Sequence, residues 1–202
     1  MSTALKRKLG FAQWGIYENV EYELKDKDGK ARKIFQQNLL CTHLLKKGVI
    51  SPLWINSPFA FIVSPFLGHY AKKITVKNLM TNAGFAGAAS RLGGSGAEAI
   101  FNYIAVGTGV VAASVSDTTL GTETAASGLS RVAGTMSRVT TTQTNDTSQA
   151  TTTFTVTGTV AVTESGLLNA SSAGVLLCRQ VFTAINVVNG DSLAITWKIK
   201  CA

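Results

Sequence analysis

The chain has 202 residues, 46% apolar and only 15% charged, with a formal net charge of +8. Soluble domains usually carry about a quarter charged residues, so this surface must be covered by Thr, Ser, Gly and Asn or by neighbouring subunits. That composition suits assemblies and extracellular β proteins better than a typical cytosolic enzyme, and the length allows one domain, or one domain with a substantial arm.

Asn19–Leu24 alternates Val20, Tyr22 and Leu24 with Glu21 and Glu23, and a charged run leads to Asp28-Gly29. Asp-Gly is a hairpin-turn signal because Gly accepts positive φ, so residues 19–36 are expected to form a charged β-hairpin with Ala31–Gln36 as its second strand. Asn38–Lys47 suggests a short helix with Leu39, Leu40 and Leu44 on one side. Ser-Pro then recurs at Ser51-Pro52, Ser57-Pro58 and Ser64-Pro65, with Trp54, Ile55, Phe59, Phe61, Ile62 and Phe66 between and after them. Proline breaks helices and central strands, so residues 48–70 read either as an interlocking arm or as an irregular loop over their own domain. The candidate interface residues are Trp54, Ile55, Phe59, Phe61, Ile62 and Phe66, with Lys72 and Lys73 beside them.

Ile74–Val76 suggests a strand, and Lys77–Leu92 carries near-helical spacing that stops at Gly93. Composition changes there. Residues 1–93, basic and aromatic, would hold the hairpin, the arm and a helix; residues 94–202, neutral and rich in Thr, Val and Ala, would form a β-sandwich, as two domains or one composite domain. Ile100–Val106, Ser130–Thr144, Thr151–Thr163, Val175–Phe182 and Leu193–Cys201 are the expected strands of this half. In Thr151–Thr163, Phe154, Val156, Val160 and Val162 share one face. The last strand alternates Leu193, Ile195, Trp197, Ile199 and Cys201 with polar or small residues. Many short strands between Gly/Asn/Asp turns predict a mainly β fold, an antiparallel β-sandwich or jelly roll with one or two short helices.

Residues 1–80 hold 13 Lys/Arg against 5 Asp/Glu, and residues 81–202 hold 6 against 6, so the whole cationic excess lies in the first part. Such a segment can dock on acidic protein, nucleic acid or membrane; a basic arm on an acidic neighbour is the simplest of these. Lys6-Arg7-Lys8, Lys30 to Lys33 and Lys72-Lys73 are the basic patches, with nucleic acid the weaker reading because the Ser-Pro region is so apolar. No secretory signal is expected, since no apolar run follows basic Met1–Gly10. Phe59–Gly68 is too short to span a bilayer, which takes about 20 residues.

Residue chemistry points away from catalysis. Cys41, Cys178 and Cys201 match no zinc spacing and read as buried or incidental thiols in a reducing cytoplasm. His43 and His69 have no clustered ligands. Gly107-Thr108-Gly109 follows a strand but lacks the third Gly and the helix of a dinucleotide loop. No cofactor or metal is expected.

Three local features resemble the small virion structural proteins of tailed bacteriophages. They are Asn78-Leu79-Met80-Thr81-Asn82-Ala83-Gly84 before an Ala-rich helix; Asn102-Tyr103-Ile104-Ala105-Val106-Gly107-Thr108-Gly109 followed by Asp117-Thr118-Thr119-Leu120-Gly121-Thr122-Glu123; and the closing Leu193-Ala194-Ile195-Thr196-Trp197-Lys198-Ile199-Lys200. The resemblance spans roughly residues 15–36 and 74–202, and residues 48–70 sit outside it. It implies a non-enzymatic protein of the virion, assembled in the host cytoplasm. The implied partners are other virion proteins, the major capsid protein or tail proteins, and a homo-oligomer such as a trimer is common in such proteins. Head decoration (cement) and tail, neck or fibre-adaptor roles both fit it. A β-sandwich enzyme or carbohydrate-binding module outside any virus is the remaining alternative.

Overall fold

The computed structural model describes residues 16–51, 64–96 and 98–201. Its strands are β1 (Ile16–Lys25), β2 (Ala31–Arg32), β3 (Ile34–Gln37), β4 (Gly68–Ala71), β5 (Lys73–Lys77), β6 (Leu79–Met80), β7 (Tyr103–Gly107), β8 (Val132–Ala133), β9 (Thr135–Val139), β10 (Thr147–Thr155), β11 (Val160–Leu168), β12 (Leu176–Val187) and β13 (Ser192–Cys201). The helices are α1 (Leu39–Lys46), α2 (Ser64–Leu67) and α3 (Asn82–Gly93). The fold is mainly β and antiparallel, as the strand-turn pattern predicts.

Two sheets face each other. In the first, β2 and β5 both pair with β1, and the order continues through β13 and β10 to β9. The second runs β6, β12, β11, β7, β8. At both lateral edges the chain passes straight from one sheet to the other. Asn78 alone separates β5 from β6, and Gly134 alone separates β8 from β9. The sandwich is therefore stitched along both sides, which limits the exposed strand edge that invites aggregation. The neighbours β11, β7, β8/β9 and β10 make a Greek key.

One core fills the space between the sheets. Tyr22, Ile74, Phe182, Ile195 and Trp197 are fully or almost fully buried in it. Tyr22 lies against Phe182 with ring centroids 4.4 Å apart, and Trp197 Nε1 donates to Ser165 Oγ at 3.3 Å. β1 pairs with β13 along ten residues, from Ile16↔Cys201 to Lys25↔Ser192. Strands from both sides of the composition break at residue 93 thus share one sheet and one core.

The structure corrects several expectations. The hairpin is short: β1 and β2 pair only through Leu24↔Arg32 and Lys25↔Ala31, while β5 takes β1 from Asn19 to Glu23. The Asp28-Gly29 turn does form, with Gly29 at φ 76° and the Asp26 carboxylate accepting from the N–H groups of Asp28 and Lys30. Thr151–Thr163 is two strands, because the chain crosses between the sheets over residues 156–159. The helix expected from Lys77 starts at Asn82 instead: Leu79 and Met80 pair with β12, and the Thr81 hydroxyl caps α3 by accepting from Gly84 N–H. Gly94, at φ 60°, provides its C-cap. Close packing of α3 on β12 requires Gly84, where a Cβ would lie 2.0 Å from Leu177 O.

A small layer lies outside the sandwich. β3 pairs with β4, and α1 and α2 close over a separate cluster of Phe35, Cys41 and Leu67. Asn38 caps α1 by accepting from Cys41 N–H, and its side-chain amide donates to Phe66 O at 2.7 Å. Thr183 Oγ1 on β12 donates to Phe35 O at 3.1 Å and ties the layer to the sandwich.

Candidate interaction surface

The charged groups divide into those spent inside the fold and those left outside it. Glu164 on β11 is fully buried, and Arg179 on β12 is nearly so. Glu164 Oε1 accepts from Gly109 N–H at 2.9 Å and Thr122 N–H at 2.6 Å. Its Oε2 accepts from Gly121 N–H at 2.9 Å and Arg179 Nε at 2.8 Å, with Arg179 Nη2 also at 2.8 Å. Arg179 then reaches Asp117 at 2.7 Å and the carbonyl of Val111 at 3.1 Å. A carboxylate offers about four lone-pair directions, and this one has filled them. The Gly107-Thr108-Gly109 and Asp117–Glu123 motifs are therefore a loop wrapped around a buried ion pair. Their glycines are spatial: a Cβ on Gly109 would sit 2.4 Å from Glu164 Oε1, and one on Gly107 2.6 Å from it.

Other acids are likewise consumed. Arg131 holds Glu123 through Nε at 2.9 Å and Nη2 at 2.6 Å, and its Nη1 donates to the carbonyls of Ala170 and Ala173. Buried Asp191 pairs with Arg32 and accepts from Val188 N–H. Glu21 lies between Lys73 at 2.5 Å and Lys198 at 2.7 Å. Burial alone would raise its carboxyl, but hydrogen bonds and charge from Lys198 and Lys73 outweigh it and hold it low. At the β9–β10 turn, partial desolvation of Asp146 is overcome by the N–H groups of Gln143, Thr141 and Thr142, so its carboxyl lies well below the usual range.

Beyond these pairs the described surface keeps exposed lysines and apolar side chains. Of the candidate interface residues, Trp54, Ile55, Phe59, Phe61 and Ile62 lie outside the described residues. Phe66 is 73% exposed on α2. Lys72 is exposed between β4 and β5, whereas Lys73 is tied to Glu21. In the same layer as Phe66 the structure exposes residues that the sequence pattern assigned elsewhere or did not mark. Leu39 is 89% exposed and Leu40 52%, because α1 turns Cys41, Leu44 and Leu45 inward instead. Val49 and Tyr70 are exposed in the same layer. Lys46, Lys47 and Lys72, in the same part of the chain, are exposed with no carboxylate partner among the described residues.

His43 and His69 are exposed, and no group of three or more His, Cys, Asp or Glu among the described residues is placed to hold a metal. Cys41 and Cys178 are buried, and burial pushes the Cys41 thiol up to about 11; Cys201 is exposed. No described helix is long and apolar enough to cross a membrane. No family model, curated protein or solved structure matches the chain.

Proposed function

We propose that the chain is a non-enzymatic structural protein of a bacteriophage particle, a capsid decoration (cement) protein that clamps neighbouring capsid subunits through its N-terminal half. The observation that carries the assembly part of this reading is the small outer layer. In that layer Leu39, Val49 and Phe66 stand open to solvent, as Leu92 and Val111 do elsewhere, and Lys46, Lys47 and Lys72 of the same part of the chain have no carboxylate partner among the described residues. Burying each such side chain at an interface contributes about 1.5–3 kcal/mol, and an apolar centre with a polar rim is the usual anatomy of a protein interface. The virion part rests on the resemblance of the three motifs. The partners are then the major capsid protein and further copies of the chain, and the location is the virion, assembled in the host cytoplasm.

A tail, neck or fibre-adaptor role is the second reading. What favours it is a shallow trough of about 510 Å3 on the first sheet, lined by uncharged residues such as Thr135, Ser137, Gln149, Thr151 and Thr153, a surface suited to polar host-surface or glycan contact. Among the described residues its lining holds no aromatic platform for a sugar ring.

The test is the double substitution Leu39→Ser with Phe66→Ser, assayed by co-sedimentation with purified heads. The variant stays folded and loses head binding. Deleting residues 48–70 is the poorer experiment, since it also removes Leu67 and β4 from Phe35. Undiminished head occupancy by the double variant refutes the proposed surface.

A further inference from the structure

We propose that the cavity between α1 and the sandwich receives an extended peptide segment of another protein, one that carries acidic and apolar side chains. This rests on the assembly reading and names what the partner must present. The cavity measures about 660 Å3, within the range of ligand sites. Its lining includes Leu45 and Lys46 of α1, Lys77 and Asn78 at the β5–β6 crossing, Val110, and Val181 of β12.

Charge is the first argument. None of the described lining residues is acidic, and Lys46 and Lys77 have no carboxylate partner among the described residues. The second argument comes from three amide atoms. Asn78 Nδ2, Asn78 Oδ1 and Gln37 Oε1 are shielded from solvent yet have no hydrogen-bond partner among the described residues. Native structures rarely leave such groups unpaired. A side-chain amide offers a donor and an acceptor, which a peptide unit answers with its own C=O and N–H. Position is the third argument. Asn78 is the single residue between two strands that belong to different sheets, so its backbone is held from both sides while neither sheet uses its side chain. Leu45, Val110 and Val181 supply apolar walls. A small anion would engage the lysines alone, whereas a peptide segment engages lysines, amides and walls together.

The probe is a pool of randomised, end-blocked octapeptides, affinity-selected on the full chain and read by mass spectrometry. The bound fraction is expected to be enriched in peptides that combine Asp or Glu with Leu, Ile or Phe. Lys46→Glu with Lys77→Glu abolishes that enrichment. Asn78→Leu weakens the selected peptides at least tenfold while leaving the melting temperature of the free chain equal or higher, because it removes an unpaired buried amide. No enrichment, or enrichment unchanged in these variants, overturns the proposal. Head binding lost in Phe66→Ser alone, which leaves the described cavity lining unchanged, but intact in Asn78→Leu would sink the cavity while sparing the outer layer as the docking surface.

Discussion

Glu164 and Arg179 face each other across adjacent strands of the second sheet, Nε to Oε2 at 2.8 Å, with Glu164 wholly out of water. The pair is saturated by backbone N–H groups of the loop that carries Gly109, Gly121 and Thr122. It therefore acts as an internal anchor that fixes residues 108–124 over the sheet.

Removing one partner strands the other charge. Arg179→Met should cost about 3–5 kcal/mol, the usual effect of breaking a buried pair. Urea unfolding followed by circular dichroism measures it. A loss below about 1 kcal/mol would mean that the anchor is unimportant.

The loop glycines should behave as packing glycines. Gly109→Ala places a Cβ in the Glu164 carboxylate and should destabilise by about 1–3 kcal/mol. Gly93→Ala is the control: its nearest contact would be Ser95 Oγ at 3.4 Å, near the end of α3. The control should be neutral or slightly stabilising. Equal effects at the two positions would contradict the packing account.

Acid should weaken the fold through Asp146 and Glu21. Both carboxyls are held below their ordinary values in the folded chain. Each thus contributes stability that is present above the unfolded pKa, about 4, and lost as pH falls through the lower folded value. Urea midpoints from pH 7 to pH 2 should decline on the acid side. Asp146→Asn should start lower at pH 7 and decline less; an unchanged acid slope would remove Asp146 from the explanation.

Much of the fold is legible in the sequence, and the misses have physical causes. Leu193–Cys201 is plain because one of its faces meets the core and the other meets water, so period two is written into it. α1 misleads because leucines lie on both sides of the helix. Periodicity marks a stripe, but only the neighbours Phe35 and Leu67 decide that Cys41, Leu44 and Leu45 form the buried one. Thr151–Thr163 keeps its alternation while crossing between sheets, and Gly158, packed against Ser127, is the one local sign of the break. The purpose of Gly107–Gly109 depends on Glu164 and Arg179, distant in sequence. The available hint was a lone acid and a lone base, each within an apolar strand. Of the residues proposed for the surface, Phe66 and Lys72 stand out in the sequence and are exposed in the fold, while Leu39 and Asn78 emerge only from the tertiary arrangement.

The central claim is that the chain is a shell component that docks by its outer layer. On the proposed function a phage encodes the chain, and cryo-electron microscopy of intact particles of that phage tests the claim most directly. The account predicts density for the sandwich at every equivalent position of the head lattice, with Leu39 and Phe66 turned toward capsid subunits. Density confined to the neck or tail would replace the cement role with the adaptor role, and absence from the particle would contradict the account.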